Sequence, residues 1–269
     1  MSMADTKRKP TVVIPTNDQQ MVAALVSAYS LKSRSKSPEL FDVRILRLEE
    51  TPHLYKRDHQ KLVWWDARQP SVWRRRDLQS FAPLRRMVPE LLGFAGRALV
   101  IDPDVFAVGD VMELLSRNMD DKAIVCCRKP EWRAGRQLYS SAVMLLDCGK
   151  LTHWDWKSDI DDLFSQRLGL GPWLSLLDMA EEDVGLLEQE WNHTDILTLR
   201  QSFCTIRRLR HSPGKLAYAP ITESMHRGVQ RRWSGLDTDP FSFFRRGRLD
   251  RSFTCHTRTL AKSFLSLLC

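Results

Sequence analysis

Two aspartates, Asp102 and Asp104, stand on either side of a proline, directly after the apolar run at residues 98–101. Such a run is typical of a buried strand, and ligands of an open α/β sheet bind beyond the carboxyl ends of its strands. Carboxylates placed there suit a hard divalent cation such as manganese or magnesium, which can neutralise a leaving diphosphate. The alternative is an ordinary Asp-Pro-Asp turn with solvated side chains.

The segments that precede these aspartates predict a β-α-β unit. Residues 11–18 combine a β-branched run with proline, asparagine and aspartate, as a buried parallel strand that ends in a loop does. Apolar residues then recur at helical spacing from Val22 to Leu31, and residues 41–48 alternate as a second strand. This pattern predicts a right-handed crossover and a parallel sheet.

Later segments continue the alternation of helices and strands and predict an α/β domain. The predicted helices cover residues 77–93, divided at Pro89, residues 109–117, and most of residues 159–190 with a break at Gly-Leu-Gly-Pro. The predicted strands cover residues 122–128, 141–147 and 205–211. Residues 49–77 predict either an irregular connection or a binding lip, because residues 62–77 combine three tryptophans with four arginines.

Composition limits the classes of protein to consider. The 269 residues are 43% hydrophobic, as in an ordinary globular protein, and carry a formal net charge of +8. That charge favours an anionic partner: nucleic acid, a phosphorylated small molecule or an acidic lipid. Six cysteines form no C-x-x-C pair, so a reducing cytoplasm is the expected compartment. Neither a secretory signal nor a run long enough for a membrane-spanning helix is visible.

The sequence LVIDPDVFAVGDVMELL, residues 99–115, resembles the D-x-D region of the retaining glycosyltransferases of family 8. That group contains glycogenin and the bacterial lipopolysaccharide galactosyl- and glucosyltransferases. The family also places an arginine upstream, at the position that Arg85 occupies. The resemblance implies a GT-A-like, Rossmann-type mixed sheet flanked by helices. It would form a single domain over residues 1–225, followed by a basic, aromatic extension over residues 226–269.

The resemblance also implies a set of donor-binding and metal-binding residues. The turn after the first strand would hold the nucleotide base, and a histidine and a lysine in RHSPGKLAY, residues 210–218, would complete the site. The implied contacts to the nucleotide sugar come from Thr16, Asn17, Asp18, Arg85, Asp102 and Lys215. The implied ligands of Mn²⁺, or of Mg²⁺, are Asp102, Asp104 and His211.

A second set of matches concerns the transferred sugar. Glu182 and Asp183, in a position that resembles an acidic motif of the family, would lie beneath the sugar as catalytic residues. The alternative is that they are solvated residues at the start of a helix. Asn192 follows in a tryptophan-asparagine pair, as in the family. Two residues depart from the pattern: Ser140 replaces an asparagine, and Ala142 replaces a glycine.

Together these observations predict a metal-dependent retaining hexosyltransferase. UDP-glucose or UDP-galactose is the expected donor, and a glycan or glycolipid is the expected acceptor. One alternative is a nucleotidyltransferase, which would need a glycine-rich loop that the first turn lacks. Another is a catalytically silent protein that binds sugar nucleotides or nucleic acid. The expected location is the cytoplasm, with the inner face of a membrane as a further candidate.

The last segment, residues 226–269, interleaves arginine with phenylalanine, tryptophan and leucine. Basic and aromatic residues together can bind an anionic membrane surface. The alternative is a packed tail whose arginines extend to solvent. Nucleic acid is not an expected partner, because no known recognition module accompanies the basic residues.

Overall fold

A computed structural model of the protein describes residues 8–65, 70–133, 135–194 and 203–205. The predicted domain boundary at residue 225 and the basic extension lie outside the described residues. Among the residues that are described, no helix is long and apolar enough to cross a membrane.

Eleven strands are present within the described residues. They are β1 Thr11–Thr16, β2 Asp42–Arg47, β3 Lys61–Val63, β4 Pro70–Val72, β5 Arg97–Ile101, β6 Val105–Ala107, β7 Ile124–Arg133, β8 Arg136–Asp147, β9 Val184–Leu186, β10 His193–Thr194 and β11 Phe203–Thr205. The α-helices of the same ranges are α1 Met21–Arg34, α2 Pro52–Tyr55, α3 Val88–Leu91, α4 Met112–Leu115, α5 Trp156–Phe164 and α6 Leu170–Leu174. Short 3₁₀ helices connect several of them.

The central sheet has six strands in the order β2-β1-β5-β8-β7-β9. Neighbouring strands β1 and β2, β1 and β5, and β7 and β9 are parallel, whereas β8 is antiparallel to both β5 and β7. The predicted β-α-β unit is therefore confirmed. The carboxyl ends of β1, β2 and β5 lie at one edge of the sheet, which we call the carboxyl edge.

Apolar strands fix the middle of this sheet. Val13 of β1 and Val100 of β5 are Cα partners and are fully buried in the main core cluster, with the indoles of Trp156 and Trp173. Because successive side chains of a strand point to opposite faces, the equally buried Leu99 faces the other layer, where α1 packs against β1. Burying one such leucine contributes about 1.5–3 kcal/mol.

Three predicted segments differ from the structure. The helix predicted over residues 77–93 is a 3₁₀ helix, Ala82–Met87, followed by α3, and the change between them comes before Pro89. Residues 49–77 are not irregular throughout: they contain α2 and an antiparallel hairpin of β3 and β4. The helix predicted over most of residues 159–190 ends at Leu174. After it come a 3₁₀ helix, Glu181–Asp183, and β9, which pairs with β7 as an edge strand. Pairing across the sheet, rather than local helical spacing, determines this stretch.

A second, three-stranded sheet in the order β10-β11-β6 begins directly after Asp104. Its strand β6 is too short to show a period-two pattern in the sequence, and it exists because it pairs antiparallel with β11. Of the strand predicted at residues 205–211, Thr205 ends β11, and residues 206–211 lie outside the described residues.

The described cysteines that are free, Cys126, Cys127 and Cys148, are all buried. Burial raises the pKa of the Cys127 thiol to about 12, so it is protonated at neutral pH. The cysteines of this part of the chain therefore contribute to packing.

Candidate functional site

The carboxyl edge brings two of the predicted loops together. Asp18 belongs to the turn that follows β1, and Asp102 and Asp104 belong to the turn that follows β5. Because β1 and β5 are adjacent and parallel, both turns leave the sheet on the same side. This is the location at which open α/β sheets bind ligands.

Asp102 is held by a bidentate ion pair with Arg85. Nε of Arg85 donates to Oδ1 of Asp102 at 2.8 Å, and Nη2 donates to Oδ2 at 2.7 Å. The remaining terminal nitrogen, Nη1, donates to Oγ of Ser141 at 2.9 Å. Only 9% of the Arg85 side chain and 13% of the Asp102 side chain are exposed. Asp102 is therefore not the solvated turn residue of the alternative interpretation.

The charge of Asp102 reflects two opposing effects. Burial raises the pKa of Asp102 to about 6, while the Arg85 guanidinium works to lower it and the neighbouring Asp104 carboxylate raises it further. With a pKa near 6, Asp102 is mostly ionised at neutral pH. The pair therefore places a buried, oriented carboxylate at the end of β5.

The backbone after β5 forms a tight turn that contains Asp104. Asp102 donates its N–H to the carbonyl of Ala142 on β8, at 2.9 Å, and accepts the N–H of Val105 at 3.1 Å. Pro103 lies at the second position of this turn, where its fixed φ is favourable. Asp104, at the third position, is partly exposed. The turn thus places the Asp104 carboxylate two positions after the anchored carboxylate of Asp102.

Asn192 also reaches this region. Its Nδ2 donates to Oγ of Ser140 at 3.0 Å. Ser140 lies on β8, next to Ser141, which bonds to Arg85, and two residues from Ala142, which bonds to Asp102. Ser140, which stands where the resemblance would place an asparagine, thus contacts Asn192, which matches the resemblance.

The predicted base-binding turn has mainly structural contacts. Asn17 is 1% exposed; its Oδ1 accepts the N–H of Gln20, and its Nδ2 donates to the Asp77 carbonyl at 2.9 Å and to Oγ of Ser80 at 2.8 Å. Thr16 is fully buried and donates to the Asn17 carbonyl at 3.3 Å. A base contact through the Asn17 side chain would require exchange of these hydrogen bonds.

Asp18 is accompanied by two residues that sequence reasoning missed. Arg47 donates to Oδ1 of Asp18 at 2.8 Å, and the Asp18 N–H donates to Oε1 of Glu49 at 3.1 Å. Burial raises the pKa of the Glu49 carboxyl. Both residues lie where β2 ends, so the rule that ligands bind beyond the carboxyl ends of strands, which was applied to Asp102 and Asp104, could have identified them too.

Glu182 and Asp183 lie elsewhere. The backbone carbonyl of Asp183 accepts the N–H of Ala123, just before β7, and Lys122 donates to the carbonyl of Glu182 at 2.7 Å. The adjacent Val184 pairs with Ile124, at the amino end of β7. This is the edge of the sheet opposite the carboxyl edge. Glu182 and Asp183 therefore do not lie beside Asp102, contrary to the expectation that they lie beneath a sugar bound there.

The donor atoms that are described fit part of a metal site. Each carboxylate oxygen of Asp102 accepts one hydrogen bond from Arg85 and keeps a further lone pair. Together with Asp104, these oxygens form the hard donor set that manganese and magnesium accept. Within the described ranges no group of three or more His, Cys, Asp or Glu residues could hold a metal ion. The predicted third ligand, His211, and the predicted phosphate contact, Lys215, lie outside the described residues.

Comparison with known proteins identifies the fold. No protein-family description matches the chain, and no curated protein matches it. The galactosyltransferase LgtC, solved in complex with donor and acceptor sugar analogs, is 11% identical and has a TM-score of 0.50, covering 85% of this chain and 98% of that chain. An active-site mutant of LgtC gives the same values.

A third solved structure is the glycosyltransferase GlyE from Streptococcus pneumoniae TIGR4. It has a TM-score of 0.49 and 13% identity, covering 86% of this chain and 61% of that chain. Identities this low show the fold alone. The predicted GT-A-like mixed sheet flanked by helices is confirmed, and the structural neighbours that share it are glycosyltransferases.

Proposed function

We propose that this chain is a metal-dependent retaining glycosyltransferase of family 8, which transfers a hexose from a UDP-sugar to a glycan or glycolipid. The observation that carries the proposal is the Arg85–Asp102 ion pair beside Asp104, at the carboxyl edge of a GT-A-like sheet. An ordinary turn has no need to bury a carboxylate on an arginine, because burial of a charge is costly unless it is paired.

The proposed roles follow from these contacts. Asp102 and Asp104 would hold a divalent cation, manganese or magnesium, with His211 as third ligand. That cation would supply charge neutralisation for the departing diphosphate. Arg85 keeps the Asp102 carboxylate ionised and fixes its orientation through two hydrogen bonds. Lys215 would add positive charge at the diphosphate.

The proposed donor and acceptor are supported by the polar side chains at the carboxyl edge and by the ligands of LgtC. LgtC was solved with donor and acceptor sugar analogs, which supports a sugar donor and a sugar acceptor for this chain. UDP-glucose or UDP-galactose is proposed as the donor, with the base beside Asp18. Ser140 and Asn192, a hydroxyl and an amide at the same edge, are suited to the hydroxyl groups of the transferred hexose.

The direct test is release of UDP from UDP-glucose and UDP-galactose in the presence of manganese. Replacing Asp104 by asparagine removes the negative charge of one proposed ligand and should lower turnover by roughly 10²–10³-fold. Chelation of the metal should abolish turnover of the wild type. As matched controls, Glu182→Gln and Asp183→Asn remove carboxylates at the opposite edge and should leave turnover unchanged. Equal turnover in wild type and Asp104→Asn would refute the proposal.

A catalytically silent sugar-nucleotide-binding protein is the second candidate. It is favoured by the placement of Glu182 and Asp183, which leaves the expected acidic pair away from Asp102. Calorimetry with UDP and manganese distinguishes the two functions. Metal-dependent binding of UDP, with no release of UDP from any UDP-sugar offered, would support the silent protein.

A further inference from the structure

The β3–β4 hairpin carries a group of exposed side chains that the proposed reaction does not use. We call this group the hairpin surface. Its members are Lys56, Lys61, Trp64, Val72, Arg74 and Arg76. Hydrogen bonds hold both ends of the hairpin: Gly171 donates to the Trp64 carbonyl, after β3, at 2.8 Å, and Trp73, after β4, donates to the Gln60 carbonyl at 2.9 Å.

The hairpin surface is unusually apolar for exposed residues. Trp64 is 43% exposed and Val72 is 40% exposed, and they are two of only four large hydrophobic residues in the described part that are exposed. The same hairpin buries Leu62 and Trp73 in the core, so its apolar residues are divided between the interior and solvent. Packing among the described residues therefore does not account for Trp64 and Val72.

The hairpin surface is also strongly basic. The described residues between positions 52 and 77 include six Lys or Arg and two Asp. Two of these cations are neutralised: Arg75 pairs with Asp58 at 3.0 Å, and Arg57 pairs with Asp161. The four that belong to the hairpin surface are exposed and have no ion pair among the described residues. Residues 178–192, in contrast, contain six acidic residues and no Lys or Arg.

A group of exposed cations on the same hairpin region as an exposed tryptophan and valine matches the chemistry of one kind of partner. An anionic bilayer attracts Lys and Arg close to its surface, and its interface accommodates the amphipathic indole ring. A nucleic acid would use the cations but would give Val72 no apolar environment. An acidic protein would need a shaped apolar recess. A lipid surface can bind both the cations and the exposed apolar side chains, and it does not need a complementary shape.

The hairpin surface lies beside the candidate site. Asp77, which follows Arg76, accepts a hydrogen bond at 2.9 Å from Asn17, in the turn after β1. We propose that the hairpin surface docks the protein on an anionic lipid bilayer, next to the carboxyl edge. The docking does not depend on the proposed activity. If that activity is transfer to a glycolipid, docking places the site close to its acceptor.

The test is co-sedimentation of the full chain with phosphatidylcholine vesicles, with and without phosphatidylglycerol. Each Lys or Arg near such a surface is worth roughly fivefold in partitioning, so Arg74→Ser with Arg76→Ser should weaken binding by about 10- to 30-fold. Lys36→Ser with Arg44→Ser removes the same charge from exposed positions elsewhere and should have a clearly smaller effect. Circular dichroism confirms that each variant is folded.

The apolar half of the surface has its own test. Trp64→Ser with Val72→Ser should also weaken binding, whereas Leu186→Ser, at an equally exposed residue of β9, should not. Vesicles with brominated acyl chains should quench wild-type fluorescence more than that of Trp64→Phe. Wild-type binding by both hairpin variants would overturn the proposal and assign any membrane affinity to another part of the chain. Loss only in the arginine variant, with RNA competing fully, would assign the surface to a polyanion instead.

Discussion

Arg85 donates to both carboxylate oxygens of Asp102, at 2.8 and 2.7 Å, and lies in a 3₁₀ helix 17 positions earlier in the chain. Its third contact, to Ser141 at 2.9 Å, joins this pair to β8. Sequence comparison suggested Arg85 as a contact to the donor. The contacts also give it a positioning role, because three of its five N–H groups bond to Asp102 and Ser141.

Substitution of Arg85 should weaken metal binding, because Arg85 orients the Asp102 carboxylate. Residues that orient a metal ligand typically contribute 10–100-fold to metal affinity. We therefore expect Arg85→Lys, which keeps the charge but cannot form the bidentate pair, to bind Mn²⁺ roughly 10-fold more weakly. Electron paramagnetic resonance of free Mn²⁺ measures this without turnover. Unchanged affinity in a folded Arg85→Lys variant would show that the pair is purely structural.

The neighbouring Arg86 forms a second buried pair, which is asymmetric. It donates to Asp178 at 2.7 and 2.6 Å and lies over the rings of Trp154 and Trp173. The Arg86 side chain is 3% exposed, but that of Asp178 is 38% exposed. Removing the acid leaves a buried cation without its partner, whereas removing the cation leaves an acid that water can solvate.

We therefore expect Asp178→Ala to lower the free energy of unfolding by about 3 kcal/mol, and Arg86→Met to lower it by clearly less. Methionine can fill the space between the two indoles. Urea unfolding of both variants and of the double variant gives the two values and their coupling. The opposite order would mean that contacts of Arg86 with the tryptophan rings, rather than the ion pair, dominate.

Gly171 is required by the close approach of Trp65. A Cβ built on Gly171 would lie 2.4 Å from Cε2 of Trp65, whose ring also stacks with Arg133. Gly171→Ala should lower stability by about 1–3 kcal/mol, because the ring must move. Gly149→Ala is the matched control, since its Cβ would meet its nearest neighbour at 3.5 Å. Thermal melts compare the two; equal stability would show that Trp65 rearranges at little cost.

The pair of Glu188 with Arg117 predicts a change in stability in acid. Hydrogen bonds from Arg117 lower the pKa of Glu188 to about 2, from an ordinary value of 4.5. A carboxyl whose pKa is lowered by folding stabilises the protein above pH 4.5, and this contribution disappears as the pH falls towards 2. The pair is about half exposed on the Glu188 side, so we expect roughly 0.5–1 kcal/mol.

Glu188→Gln should therefore reduce stability at pH 7 and have little effect near pH 2, as urea unfolding at several pH values would show. Glu113→Gln, at an exposed carboxylate of α4 with no ion pair among the described residues, serves as the control. A loss of the same size at all pH values would attribute the effect of Glu188→Gln to packing rather than to charge.

The sequence was sufficient to predict the elements whose local residue pattern agrees with their burial in the fold. The apolar residues 98–101 predicted β5 because a strand buried on both faces must be apolar, and the following aspartates then had to lie at its carboxyl end. Arg47 and Glu49 belong to no motif, so only the predicted pairing of β2 with β1 could have placed them beside Asp18. Glu182 and Asp183 were misplaced because the sequence predicted a helix there, and no local pattern shows that the following residues pair with the amino end of β7.

The antiparallel pairing of Val105 with Thr205 joins the turn that carries Asp104 to a segment about one hundred positions later in the chain. A shortened form that stops before Phe203 would deprive β6 of this partner and loosen the backbone immediately after the two aspartates. Any minimal version of the protein meant for metal titration must therefore extend at least through Thr205.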